Sequence, residues 1–183
     1  MERIELRAAD VERSVTRLGD EILARARAAG EADGLAVVAI RRGGVRLAAR
    51  LRAQLAKALG REVPAGTLDI ALYRDDVAEH GAAPVIGPTD IGFPLDGKTV
   101  VLVDDVLFTG RTVRAALDEL VDFGRPRRVW LAVLVDRSGR ELPIAADFAG
   151  ARVEAAPADD VQVRLREDGA SQDEVVVKPR RGT

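Results

Sequence analysis

The run Val100-Val101-Leu102-Val103-Asp104-Asp105 constrains this chain more than any other feature. Four apolar residues in succession, three of them β-branched, cannot alternate between core and solvent. They describe a strand buried on both faces, as in a parallel sheet covered by helices. Asp104 and Asp105 stand where such a strand emerges from the sheet. Val106, Leu107, Phe108, Thr109, Gly110, Arg111 and Thr112 follow as a short loop, and from Arg111 the pattern turns helical, with Val113, Leu117, Leu120 and Val121 on one face. Gly124 is placed to close that helix, and Pro126 prevents its resumption.

Strand, carboxylates, glycine loop and helix together make a phosphate site at the carboxyl end of a parallel sheet. Backbone N–H groups at a loop and helix start lack partners of their own and favour an anion, assisted by the helix dipole. Gly110 allows close approach, and Thr109 and Thr112 add hydroxyl donors. The stretch is neither a Walker A loop, for want of Gly-Lys-Ser/Thr, nor the dinucleotide Gly-x-Gly-x-x-Gly pattern. Two carboxylates would repel a bare phosphate. They suit sugar hydroxyls, whose protons they accept, or Mg2+ held against a polyphosphate.

A second unit of the same kind precedes it. Leu35-Ala36-Val37-Val38-Ala39-Ile40 reads as a buried strand, Arg41-Arg42-Gly43-Gly44 as its loop, and Val45, Leu47, Leu51, Leu55 and Leu59 as an amphipathic helix ended by Gly60. Two such units predict a βαβ arrangement with both loops on one sheet edge. A third apolar strand, Arg128 to Val135, leads into a polar loop from Asp136 to Pro143 on the same edge. Upstream, Asp10 is placed to cap a helix carrying Val11, Val15, Leu18, Ile22 and Ala26 and ending at Gly30. Thr67 to Tyr73 reads as a further strand. The Gly- and Pro-rich region from Arg74 to about Asp96 has the length of a functional lid, with His80 in it as a solvent-exposed bystander. Val161 to Arg166 and Glu174 to Lys178 form a peripheral hairpin, and Trp130 belongs to the core.

Composition excludes several classes. With no cysteine there is no disulfide, thiolate nucleophile or Cys-ligated zinc, and one histidine cannot make a His-rich metal site. The apolar runs are too short to span a bilayer, and no apolar segment follows Met1-Glu2-Arg3, so a cytoplasmic location is expected. A net charge of −2 disfavours bulk electrostatic attraction to nucleic acid while leaving room for a local basic patch. At 183 residues one domain is expected.

Four hydrophobics, two acids and Thr109-Gly110-Arg111-Thr112 resemble the phosphoribosyl pyrophosphate (PRPP) signature of the type I phosphoribosyltransferases. The resemblance implies their α/β fold, a central parallel sheet flanked by helices with a small hood. It also implies Mg2+ as cofactor, held mainly through PRPP and water and in part by Asp104 and Asp105. In that superfamily the acids bind the ribose hydroxyls, the loop from Val106 to Thr112 binds the 5′-phosphate, and a loop matching Arg41 to Gly44 holds the departing pyrophosphate. Hypoxanthine-guanine enzymes carry an Asp as proton acceptor where this chain has Phe108, which disfavours purine specificity.

Leu68 to Asp76, Val106 to Ala115, and Gly124-Arg125-Pro126 through Val135-Asp136-Arg137 and Arg140 to Ile144 resemble the PyrR family more closely. These are bacterial regulators of the pyrimidine operon that bind its leader RNA and also act as uracil phosphoribosyltransferases. The resemblance implies conversion of uracil and PRPP to UMP and pyrophosphate, with UMP or UTP as effectors, and a homodimer or higher oligomer. It makes Asp104, Asp105 and Arg74 catalytic, with Arg74 attending the pyrophosphate. The backbone of Val135, Asp136 and Arg137 would meet uracil, and Thr16, Arg17 and Arg140 would meet RNA. The chain departs from the family at Gly43, where relatives commonly carry the loop arginine, at Asp20 and Gly139 in place of His, at Ala145 in place of Arg, and across Gly150 to Ala155. The last three changes remove positive charge from the RNA regions, and every phosphate left without its cation should weaken RNA binding. The alternatives are a catalytically weak PRPP or nucleotide sensor, or a phosphoribosyltransferase for another base such as orotate or a purine.

Overall fold

Strand β2 (Leu35–Ile40) is buried at every position, and so are the first six residues of β4 (Thr99–Leu107). The physical reason is the pairing. With β3 (Ala65–Leu68), β5 (Arg128–Arg137) and β6 (Phe148–Val153) they form a parallel sheet in the order β3-β2-β4-β5-β6. Both faces are covered, so neither can be polar. The computed structural model describes residues 2–70 and 89–179.

Helices α1 (Ala8–Ala28) and α2 (Gly44–Leu59) cover one face with Val11, Leu18, Ile22, Leu47, Leu51 and Leu55, packed on Val37, Val101, Val103 and Trp130. Helix α3 (Arg111–Leu120) covers the other with Val113, Ala116 and Leu120 against Val38, Val100, Leu102 and Val133. Each fully buried aliphatic side chain among these contributes about 1.5–3 kcal/mol relative to exposure. Trp130 lies in the core, 1% exposed, with Phe148 edge-on and the Arg25 guanidinium over its ring.

Several elements differ from expectation. Helix α1 is capped by Arg7, and Asp10 sits one turn in, where its carboxylate accepts the Arg7 N–H at 3.0 Å. That satisfies an orphan donor as well as a capping side chain would. Helix α3 stops at Leu120, leaving Val121 46% exposed rather than on the buried face. The strand expected at Thr67–Tyr73 is β3, shifted to Ala65–Leu68, and residues 71–88 lie outside those described. The C-terminal strands are not a lone hairpin. β7 (Asp159–Arg164) and β8 (Glu174–Pro179) join β1 (Arg3–Leu6) in an antiparallel sheet, order β1-β8-β7, which sends Val161, Val175 and Val177 into the α1/α2 core. This second sheet is the hood. Among the described residues, no helix is long and apolar enough to cross a membrane.

Candidate active site

Parallel register brings the loops together. β2 and β4 are neighbours, as are β4 and β5, with Val106 opposite Val135 and Leu107 opposite Asp136. The ends of three strands therefore converge at one carboxyl edge, where open α/β sheets bind ligands. Arg41 to Gly44, Asp104 to Gly110 and Val135 to Arg137 all lie there. Arg74 and His80 fall outside the described residues, as does most of the proposed lid. Its final stretch is tied down: Thr67 and Asp90 exchange backbone hydrogen bonds at 2.8 and 2.9 Å, and Ile91 and Phe93 pack on the α3 side of the core.

Successive residues of a strand point to opposite faces, so Asp104 and Asp105 diverge. Asp104 is 5% exposed, and its Oδ1 accepts the Asp105 N–H at 2.9 Å. Asp105 accepts the Val106 N–H at 2.8 Å and lies against the start of α2. A Cβ on Gly43 would fall 2.2 Å from Asp105 Oδ1, and one on Gly44 would fall 2.1 Å from the Val103 carbonyl oxygen. The first turn of α2 thus rests directly on the β4 backbone, which only glycine permits. Burial holds the Asp105 carboxyl above its usual range, opposed by hydrogen bonds from its surroundings, with the nearby Asp168 charge adding to the rise.

Asp168 arrives from the hood, in the 3-10 turn Arg166–Asp168, and pairs with Arg46 Nε at 2.9 Å. Arg50, one turn further along α2, anchors that turn through Glu167 and Asp173, and these ion pairs raise its proton affinity. In the cationic loop, Arg41 is half-buried, with Nε 3.3 Å from the Thr67 hydroxyl, and Arg42 is exposed. The peptide between them is cis.

The β4–α3 loop is built differently. Gly110 takes φ +95°, a left-handed conformation that favours glycine, and the Thr109 hydroxyl accepts the Arg111 N–H. The segment after β5 roofs it. Glu141 and Leu142 N–H both donate to the Thr109 carbonyl at 3.0 Å, and Leu142 and Ile144 lie over Gly110. Phe108 is stacked beneath the Arg137 guanidinium, 3.8 Å from its centroid, with its ring edge against Gly139, where a Cβ would come within 2.6 Å. Arg137 is buried, donating to the Asp159 and Ala156 carbonyls, and burial pulls its proton affinity down.

The three residues assigned to RNA do not form one cluster. Arg17 lies against mid-β6, donating to the Ala149 and Gly150 carbonyls and to Glu21. Together with Thr16 it lines a groove of 800 Å³ between α1 and β6. Arg140 sits instead in the strand-end site, its guanidinium bonded to the Phe108 carbonyl and the Asp136 carboxylate. Asp168 and the roof over Gly110 carry no local sequence signal, since both come from segments distant along the chain.

Among the described residues, no group of three or more His, Cys, Asp or Glu could cage a metal. Two adjacent carboxylates suit Mg2+ that keeps its waters and is shared with substrate phosphates.

A glycine loop with two arginines, paired acids and a helix start meeting at one sheet edge are the parts of a type I phosphoribosyltransferase. The phosphoribosyl transferase domain family matches residues 9–175, and the chain belongs to it. Its fold matches the hypoxanthine phosphoribosyltransferase of Trypanosoma cruzi (TM-score 0.68, 16% identity, 96% of this chain and 95% of that one). It also matches the hypoxanthine-guanine enzyme of Leishmania tarentolae solved with GMP (TM-score 0.70, 18% identity, 96% and 95%). Within the class the chain belongs to the PyrR family. It is 52% identical over 172 residues to the bifunctional protein PyrR of Roseiflexus sp. (94% of this chain, 92% of the relative). It is 49% identical over 171 residues to that of Thermus thermophilus (93% and 93%).

Proposed function

We propose that this protein transfers the phosphoribosyl group of PRPP to uracil, yielding UMP and pyrophosphate, and that it regulates pyrimidine operon expression through uridine-nucleotide-dependent binding of leader RNA. The observation carrying the enzymatic half is the meeting of Asp104-Asp105, the Gly110 loop and the Arg41–Gly44 loop at adjoining strand ends, in a chain half identical to bifunctional relatives.

In this reading the Asp104 and Asp105 carboxylates accept hydrogen bonds from the ribose hydroxyls. Loop N–H groups from Val106 to Thr112 and the α3 N-terminus hold the 5′-phosphate. The backbone at Val135 to Arg137 meets the uracil edge. Arg41, Arg42, Gly43, Gly44 and the start of α2 face the leaving pyrophosphate, with Arg74 assisting. Uracil N1 bonds to C1′ as the C1′–O bond to pyrophosphate breaks and the N1 proton passes to the departing pyrophosphate or to water, so catalysis consists of positioning and charge stabilisation rather than a nucleophilic side chain. Asp104 or Asp105 would hold Mg2+ arriving with PRPP, and the ion would supply charge neutralisation for the pyrophosphate. Phe108 offers no proton acceptor to a purine. Oligomerisation, as a dimer or larger, belongs to the same proposal.

The deciding experiment supplies labelled uracil, PRPP and Mg2+, with orotate, hypoxanthine and guanine in parallel. UMP from uracil alone is expected. Product from a different base only would overturn the assignment. For the regulatory half, a gel shift with pyrimidine leader RNA is expected to strengthen on adding UMP, and a shift indifferent to UMP at low salt would remove that half.

A further inference from the structure

Arg140 joins two segments that do opposite jobs in the proposed reaction. One arm of its guanidinium donates to the Phe108 carbonyl, in the loop assigned to the 5′-phosphate. The other donates to the Asp136 carboxylate, at the strand end assigned to the base. Its side chain is 24% exposed and that of Asp136 is 21% exposed, so the pair is largely removed from water. A planar fork with fixed donor directions is suited to bridging two acceptors, which a lysine ammonium does less well.

The carbonyl it holds decides where a donor points. A trans peptide is rigid and planar, with C=O and N–H on opposite sides. Holding the Phe108 oxygen on the Arg140 side therefore turns the Thr109 N–H away from it. The next plane is held in the same manner, because the Thr109 oxygen accepts from Glu141 and Leu142 N–H, which turns the Gly110 N–H away in turn. Two consecutive loop donors are thus aimed by the segment Arg140 to Leu142. Phe108 cannot slide out of this arrangement, with Arg137 over its ring and Gly139 against its edge.

We propose that Arg140 is a positioning residue of the phosphoribosyl-transfer site, tying the strand end that meets the base to the loop that meets the 5′-phosphate, so that the two halves of a nucleotide bind cooperatively. This rests on the function proposed above and departs from the assignment of Arg140 to RNA. An RNA phosphate could reach only the donors of this guanidinium that these two acceptors leave free.

The test compares UMP and uridine binding by calorimetry in the wild type and in Arg140→Gln, Arg140→Lys, Asp136→Asn and the Arg140→Gln/Asp136→Asn double variant. Uridine lacks the 5′-phosphate, so the ratio of the two affinities isolates the phosphate's share. Arg140→Gln is expected to lower UMP affinity about tenfold, the scale of removing one charge-assisted hydrogen bond, while uridine affinity changes much less. Arg140→Lys should recover part of the ratio, and the double variant should lose no more than Arg140→Gln alone, since both break one tie. The Lys variant also keeps the test decisive if the Gln variant folds poorly. An unchanged UMP-to-uridine ratio with weakened leader-RNA binding would overturn the proposal and return Arg140 to the RNA surface. A wild type that binds neither UMP nor PRPP would instead remove the functional reading beneath it.

Discussion

The β2–α2 and β4–α3 loops are the same supersecondary unit put to different uses. Both follow a strand buried over most of its length, carry glycine and start a helix. In the first, Gly43 and Gly44 are needed for what lies outside the loop, namely Asp105 and the Val103 carbonyl pressed against them. In the second, Gly110 is needed for its own backbone, at φ +95°. One loop is a packing joint that brings a helix N-terminus onto the neighbouring strand. The other, the proposed phosphate cradle, takes its shape from its own dihedrals and from the roof laid over it. Similar sequence patterns therefore fail in different ways when altered.

Asp105 is where the two loops meet, and its loss should have the largest effect. Asp105→Asn should lower UMP formation by roughly 100-fold or more, the scale of withdrawing one charged group from a transition state. Stability should move the other way. A carboxyl whose folded pKa is raised holds its proton more tightly in the folded chain than in the unfolded one. Stability is then lost as pH rises from the ordinary carboxylate range through the raised value. The Asn variant removes that cost while its amide oxygen still accepts the Val106 N–H, so its melting temperature at neutral pH should exceed that of the wild type. Wild-type turnover would break the ribose assignment.

Next comes Gly44→Ala, which drives a methyl into a backbone carbonyl that cannot yield. A loss of about 3 kcal/mol in denaturant titration, at the upper end for overpacking, is expected. Gly110→Ala should cost less, about 1–2 kcal/mol for the left-handed conformation. Yet it should raise KM for PRPP, because the cradle changes shape. If the two glycine variants lost stability and PRPP affinity in equal proportion, the distinction between joint and cradle would fail.

The smallest effect concerns Glu119 on α3. This carboxylate is 4% exposed and accepts the Thr89 hydroxyl, which itself accepts the Asp69 N–H at 2.9 Å. Its second oxygen has no partner among the described residues. Burial raises its pKa, the Thr89 bond opposes the rise, and the charges of Asp69 and Asp122 add to it. By the same sign argument, stability falls as pH climbs above the ordinary carboxylate range. Glu119→Gln should flatten that slope, read as melting temperature across roughly pH 4 to 8, with catalysis little changed. An unaltered slope would show that the proton is bound elsewhere.

What the sequence determined by itself is local. The apolar run of β4, the acids at its end, the glycine of the cradle and the β2 unit were legible because strand burial, turn chemistry and helical spacing are written in neighbouring residues. Tertiary structure decided the rest. Arg3–Leu6 is half exposed and too short to read as a strand until β8 pairs with it. Phe148–Val153, interrupted by Ala149, Gly150 and Ala151, lacks a β signal until β5 supplies a ladder. Asp168 approaches Asp105 because Arg46 and Arg50 fasten the hood to α2 across more than a hundred residues of chain. Arg140 is assigned to RNA by resemblance, and only folding sets it between Phe108 and Asp136. Hydrogen bonds and ion pairs depend on where acceptors come to rest in space, and short-range periodicity holds no information about that.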